Sequence, residues 1–323
     1  MTFKQNWEKA DSQCILPDDA IKNMVRASMN EDVESYKIIS GGCANLNVLI
    51  QLKNQAPPIL LRIYLRDKDA AYREQKISEL LRDKIPVPKI YFIGDYEEYK
   101  FAICEFIDGI TLRDLLLGDQ EFDMHHIMSQ CADMLAKIAD IQFPLAGFFD
   151  KDLNIPKEFS DNELINYAQN CLKQEIVKQQ LGSDIILKIE RLLIENKEFL
   201  PNNSEKNLVH ADFDPSNILV QKIDKSWRIV AILDWEFAFS GSVACDIANM
   251  LRYANQLPPE FESSFVGSLQ NKLKLPKPWK ITSNLLNLCS LIDCLARSDS
   301  KKRPNQCKDI KLLITEIIDN FKL

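Results

Sequence analysis

The 323-residue sequence is poor in the residues that announce many binding chemistries: it has three histidines, nine glycines and no GxGxxG string. The nine cysteines include no CxxC pair and no histidine at zinc spacing, which argues against a zinc-organised fold. They stand singly or in apolar stretches, as Cys289 and Cys294 do, and read as reduced core thiols of a cytosolic protein. No run approaches the roughly 18 apolar residues of a membrane span. The opening "MTFKQNWEKADSQ" is charged throughout and lacks the apolar stretch of a secretory signal. The expectation is a cytoplasmic protein without a membrane partner. Positive charge is also short: Lys and Arg number 40 against 47 Asp and Glu, a net charge of −7. No dense basic face stands out, which argues against a nucleic-acid partner, whereas a cationic small molecule would suit the balance.

What is present is enough apolar material, 46% of residues, for an ample core. The length exceeds the roughly 250–300 residues at which single cores usually divide, so two lobes are expected. Two textures support this. From about 35 to 105 the pattern is strand-like, in "YKIISGGCANLNVLIQL", "PPILLRIYL" and "KIYFIGDYEEYKFAICEF". One helix interrupts it, "DKDAAYREQKISELLRDK", stopped by "IPVP". Beyond "IDGITLRDLL" the chain turns to amphipathic helices. Phe122, Ile127, Met128, Cys131, Met134, Leu135 and Ile138 form one apolar stripe, and 161–198 and 283–321 read similarly. Within this half, "NILVQ" and "WRIVAILDW" predict a hairpin around "KIDKS". The expected plan is an α+β chain. Residues 1–105 form a small antiparallel-sheet lobe with a helical extension over 1–34. A connector near 105–109 leads to a larger helical lobe, 106–323.

The segment "VHADFDPSNILV", residues 209–220, sets polar residues between two apolar runs. An aspartate on a rigid loop and an asparagine five residues later, at the start of a strand, can point into one cleft, and Asp234 at the end of the next strand can join them. Phosphoryl transfer needs such a set: Asp212 to orient or accept the proton of a hydroxyl, Asn217 and Asp234 to hold Mg²⁺ on nucleotide phosphates. The spacing equals that of H-R-D-x-x-x-x-N and D-F-G in protein kinases. A turn built around Pro215 would also use Asp212, Asp214 and Asn217. Asp234 is harder to explain that way, because a charge ending the run "IVAIL" needs a metal or a partner.

These strings resemble the aminoglycoside phosphotransferase and choline kinase superfamily. "LVHADFDPSNILV" and "ILDWEFAFSGSVACDIANMLR" are the most specific parts; "GGCANLNVLI", "LLRIY" and "VPKIYFIG" add weaker support, and the likeness covers about 36–300. It implies a protein-kinase-like bilobal fold and a kinase that moves the γ-phosphate of ATP or GTP to a hydroxyl of a small acceptor. By position it implies Asp212 as catalytic base, Asn217 and Asp234 as Mg²⁺ ligands, and His210 as a structural histidine. Arg62 stands where many kinases have lysine, and its bidentate fork can clamp phosphate. Glu74 is its expected helix partner, with an exposed pairing to Arg73 as the alternative. Gly41 and Gly42 would let backbone approach the phosphates, and the connector near Glu105 and Ile107 would meet the base. Asp246 reads as an N-cap of the helix in "IANMLRYA"; the alternative is a brace beneath the catalytic loop. Eleven residues separate Asp234 from Asp246, with no A-P-E following, which leaves little room for a peptide platform. A small acceptor follows, whose amines could meet Glu236, Asp161, Glu163 or Asp299. Aminoglycoside, choline, fructosamine, homoserine and macrolide all remain open. The glycine-poor loop and Arg62 also admit a different class, a nucleotide-binding pseudokinase acting through a partner.

Overall fold

The computed structural model describes residues 3, 4, 6–8, 16–39, 45–275 and 278–321. Its first part is one antiparallel sheet of β1 (Val33–Ile39), β2 (Asn45–Leu52), β3 (Ile59–Tyr64), β4 (Ile90–Tyr96) and β5 (Tyr99–Glu105), ordered β1-β2-β3-β5-β4. Helix α1 (Asp18–Met29) precedes β1, and α2 (Ala70–Leu81) lies between β3 and β4. Because successive side chains of a strand point to opposite faces, each strand splits its residues between two environments. Leu46, Val48 and Ile50 of β2 and Leu61 and Ile63 of β3 bury against Ile21, Met24 and Val25 of α1. On the opposite face Tyr64 packs with Ala70 and Ala71 of α2 and with Ala102 and Cys104 of β5. Arg62 pairs with Asn47, and Tyr64 with Asn45, across the β2–β3 ladder. The same alternation therefore puts Asn45, Asn47 and Arg62 on the α2 face.

The second part begins with β6 (Ile110–Thr111), α3 (Leu112–Leu117), α4 (Met124–Ala139) and β7 (Gly147–Phe148). It continues through α5 (Glu163–Leu172), α6 (Glu175–Leu181), α7 (Ser183–Glu195), β8 (Asn207–Val209), β9 (Ile218–Ile223), β10 (Ser226–Ile232) and β11 (Phe239–Gly241). Helices α8 (Ala244–Leu251), α9 (Pro259–Gln270), α10 (Trp279–Ala296) and α11 (Pro304–Asp319) complete it. The stripe predicted over 122–138 is the buried face of α4, whose first turn is capped by Asp123 accepting from the His126 N–H at 3.0 Å. The run expected over 161–198 is three helices; α6 ends at Gly182, whose φ of +78° is glycine territory. The run expected over 283–321 is α10 and α11, the second opening on Pro304. The β9–β10 hairpin forms as predicted. Ser226 pairs with Ile223, leaving Asp224 and Lys225 (φ 47° and 69°) as a two-residue turn that matches strand twist.

The N-terminal extension divides. Helix α1 lies on the sheet, whereas Phe3 is buried in the core of the helical part. That core also takes Ile77 and Leu81 of α2 with Ile85 and Val87, so the two parts share apolar packing. No described helix is long and apolar enough to cross a membrane. The seven cysteines among the described residues are free, and burial pushes the Cys104 thiol up to about 12, which makes it inert.

Leu61 has no exposed surface and lies between α1 and the rest of the sheet core. Leu61→Ala should lower unfolding stability by about 2–5 kcal/mol, the usual range for such a cavity, as read from urea denaturation. A loss near zero would mean that α1 does not pack on this face.

Candidate active site

Two strand pairings aim the loop that carries the polar residues. β8 pairs with β11 and β9 with β10, so residues 210–217 cross between two fixed points. Helix α8 then holds the loop backbone. The two Asp246 carboxylate oxygens accept from the N–H groups of His210 and Ala211, each at 2.8 Å, and Asn249 Nδ2 donates to the Ala211 carbonyl at 2.7 Å. The N-cap expected at Asp246 is not made. The helix begins at Ala244, which places Asp246 in its first turn with its side chain turned away to the loop. Arg252, one further turn on, donates to Asn249 Oδ1, to Asn287 Oδ1 at 3.0 Å and to Ser290 Oγ at 2.9 Å, which ties the brace to α10.

His210 is fully buried and its pKa is lowered by that burial. Nδ1 accepts from the Asp212 N–H at 3.2 Å, and Nε2 faces the Leu233 carbonyl at 2.8 Å, so the ring is neutral with its proton on Nε2. Histidine thus connects the loop to the residue before Asp234, as its structural reading implies. Ala211 and Asp234 both have φ of 70°, a left-handed conformation that costs a non-glycine residue roughly 1–2 kcal/mol.

Asn217 closes the loop by donating Nδ2 to the Asp212 carbonyl at 2.9 Å and to Asp212 Oδ2 at 2.8 Å. This commits the amide nitrogen and leaves Oδ1 as the available ligand atom. Burial works against the Asp212 carboxylate, but Lys4 and Arg252 more than offset it and hold its pKa below the ordinary value. Asp214 braces the turn as expected, its Oδ1 accepting from the Ser216 N–H at 2.7 Å and from the Ser216 hydroxyl. Its other oxygen pairs with Lys4, a partner the sequence reading did not supply.

From the sheet side, Arg62 Nη2 pairs with Glu74 Oε1 at 3.0 Å and with Asp234. Glu74 also accepts from the Tyr64 hydroxyl at 2.6 Å. Arg73 turns elsewhere, to Asp67 and the Glu236 carbonyl, so the exposed Arg73–Glu74 alternative is not realised. Among the described residues, Arg62 Nε, Asn45 Oδ1 and Asn47 Oδ1 are buried without a hydrogen-bond partner, a group of polar atoms on the α2 face of β2 and β3. Such atoms are costly unless a ligand or water meets them. The two asparagines were missed. Their signal was the N-x-N alternation of "ANLNV", which sets polar side chains on a strand face that should be apolar.

Gly41 and Gly42 lie outside the described residues. At the connector, the Glu105 N–H donates to the Lys89 carbonyl at 2.8 Å, and its carboxylate accepts from the Lys89 N–H at 3.1 Å. Glu105 is thereby pinned to the sheet, and Ile107 follows it in irregular backbone. Of the carboxylates proposed to meet an acceptor, Glu236 instead accepts from Asn45 Nδ2 at 3.0 Å; burial, reinforced by Asp234, pushes its pKa up to about 8. Glu163 caps Ser160 and pairs with Lys157, and Asp299 accepts from the Lys301 N–H. These bonds are local, and Asp161 is exposed.

A sequence profile described as the phosphotransferase enzyme family matches residues 35–275. The chain belongs to that family. Among solved structures it is similar to the aminoglycoside phosphotransferase APH(4)-Ia, at 16% identity and a TM-score of 0.73, covering 95% of this chain and 100% of that one. A thermostable variant of that enzyme, in a ternary complex with AMP-PNP and hygromycin B, gives 17% and 0.72 over 93% and 98%. Spectinomycin phosphotransferase APH(9)-Ia, with ADP and spectinomycin, gives 13% and 0.65 over 95% and 99%. At these identities the likeness speaks to the fold, which is the kinase-like bilobal α+β architecture with an antiparallel sheet lobe. Acyl-CoA dehydrogenase family member 11 of Homo sapiens and of Pongo abelii is 26% identical over 188 residues. The match takes in 55% of this chain and 22% of those proteins, so this chain corresponds to a minor part of their length.

The brace on this family member's loop can be removed alone. Asp246→Ala leaves two buried N–H groups without an acceptor and should cost about 2–5 kcal/mol of stability in denaturant titration. If stability holds, the loop backbone has found other partners, and the role given to α8 is wrong.

Proposed function

We propose that this chain is a small-molecule kinase that transfers the γ-phosphoryl group of ATP or GTP to a hydroxyl of a small, cationic acceptor of the aminoglycoside type. The observation that carries the reading is the Asp212–Asn217 unit, in which the amide fixes one carboxylate oxygen and the other, on a side chain 28% exposed, lies 3.5 Å from the Lys4 ammonium, together with the Arg62–Asp234–Glu74 cluster. Membership in the phosphotransferase family supports it, as do neighbours whose complexes hold nucleotide with hygromycin B or spectinomycin. The net charge of −7 suits a cationic acceptor. The work falls to a sheet lobe, residues 1–105, and an acceptor lobe, 106–323, in a cytoplasmic protein with reduced thiols.

In this reading Asp212 orients the acceptor hydroxyl through Oδ1 and takes its proton as the hydroxyl oxygen bonds to the phosphoryl group and the nucleoside diphosphate leaves. Asn217 Nδ2 holds the opposite oxygen, Oδ2. Asn217 Oδ1 and the Asp234 carboxylate are hard oxygen ligands suited to Mg²⁺, and two such ligands suffice where phosphates and water complete the shell. Bound there, Mg²⁺ supplies positive charge to the phosphate oxygens. Arg62, with its unpartnered Nε, offers a fork to phosphate while Glu74 keeps the side chain pointed across the sheet. Gly41 and Gly42 would lie over the phosphates, and backbone between Glu105 and Ile107 would meet the base.

Four substitutions at three positions test the roles. Asp212→Asn, nearly isosteric, should preserve nucleotide and Mg²⁺ binding but slow transfer by roughly 10² to 10⁴. Asp234→Asn should remove the Mg²⁺-dependent part of thermal stabilisation by nucleotide. Arg62→Ala should raise the nucleotide KM, and Arg62→Lys should restore part of it. Phosphate transfer to a panel of hydroxylated amines provides the assay. An Asp212→Asn protein with full transfer activity would sink the reading.

A further inference from the structure

Residues ahead of α1 reach the catalytic loop. Phe3 is only 2% exposed, and its ring lies 4.6 Å from that of Tyr253. Trp7 Nε1 donates to Asp309 Oδ2 at 2.8 Å, an oxygen that also accepts from the Tyr253 hydroxyl at 2.7 Å. The Glu8 carboxylate accepts from the N–H groups of Asn305 and Gln306, at 2.9 and 3.2 Å, in the first turn of α11. These three anchors fasten Phe3, Trp7 and Glu8 to the helical lobe. Between them Lys4 extends its ammonium to Asp214, with which it pairs, and to within 3.5 Å of Asp212 Oδ1.

The pairing has a physical reason. Asp214 is 3% exposed, and a carboxylate so deep needs a cation beside it. The Lys4 side chain is 12% exposed, so its charge acts where water screens it little. From Asp214 the ammonium reaches to the edge of the base.

We propose that Lys4 is a positioning residue of the active site, a cation that the N-terminal segment delivers to Asp212 and Asp214 so that the base keeps its working orientation. The inference rests on the kinase reading of Asp212. Two features favour a resident component over a removable plug. A plug would cover the base, yet the Asp212 side chain keeps 28% of its surface exposed beside Lys4, leaving the acceptor hydroxyl an approach. Withdrawal of the segment would also pull Phe3 from the core and strip Asp214 of its partner, two costly events.

The test uses the full chain and follows nucleotide hydrolysis with Mg·ATP, water standing in for the acceptor hydroxyl. Lys4→Met should lower kcat roughly tenfold or more while leaving the nucleotide KM unchanged, and Lys4→Arg should retain much of the rate. Because Lys4→Met leaves Asp214 buried without its cation, Lys4→Met combined with Asp214→Asn is the second variant. It should melt at the temperature of the parent yet remain slow. Parental turnover in the double variant would show that Lys4 only neutralises Asp214, and would overturn the proposal. Unchanged or faster turnover in Lys4→Met would do so as well, the faster rate marking a plug. Asp212→Asn runs in parallel: if it too hydrolyses at the parental rate, the kinase reading fails and this inference with it, whereas a slow Asp212→Asn beside fast Lys4 variants defeats this inference alone.

Discussion

The Arg62 guanidinium joins the two halves of the site. It sits on β3, opposite Asn47, and pairs at once with Glu74 from α2 and with Asp234 from the helical part. Two carboxylates share that one guanidinium where little water reaches. Burial raises the Glu74 pKa against the pull of Arg62, and Glu236 is raised by burial and by Asp234. A buried excess of negative charge is expensive for a merely structural cluster. The same excess is favourable where a divalent cation is to be held, and Arg62 Nε, Asn45 Oδ1 and Asn47 Oδ1 have no partner among the described residues. On the kinase reading, nucleotide and metal together supply what the cluster lacks: phosphate for the arginine, Mg²⁺ for Asp234.

The loop over residues 210–217 solves a different problem, that of holding strained backbone still. Ala211 and Asp234 have left-handed φ values that neither residue type prefers, so surrounding bonds must impose them. Asp246 takes the N–H groups on one side of Ala211, Asn249 takes its carbonyl, and His210 joins the loop to Leu233 beside Asp234. The strain and its restraint therefore belong to one unit, in which α8 faces the loop with residues three apart, Asp246 and Asn249, and passes the load through Arg252 to α10.

Legibility in the sequence followed the range of the interaction. The loop set Asp212, Asn217 and Asp234 was readable because short spacing and a charge at the end of an apolar strand are local signals. The Arg62–Glu74 pair was legible through the family resemblance, which sets a phosphate-binding cation on this strand and its acidic partner in the charged run "YREQK". The hairpin was legible around "KIDKS" because two apolar strand-like runs flank a short polar stretch. Asp246 was misread because an aspartate in the first turn of a helix can satisfy N–H groups of its own helix or of a neighbour, and only the neighbour's position decides. The three-way division of the run over 161–198 was obscured because apolar periodicity continues past Gly182 even though the backbone does not. Asn45 and Asn47 were not legible because polar residues on alternate positions of a strand ordinarily mark a solvent face, and only the packing of α2 shows that this face is covered.

Lys4 marks the limit of that rule. Nothing near it in the chain indicates its partners, which lie more than 200 residues away, and a lysine among polar residues has the surface as its ordinary place. What takes it inside is the company of Phe3 and Trp7, large aromatics that pack on the helical lobe and leave the intervening backbone little choice. The apolar anchors set the path of the segment, and the buried Asp214 carboxylate selects the charge on the residue between them. A long-range ion pair at the active site thus follows from two ordinary demands: aromatic surface seeks burial, and a buried carboxylate requires a cation.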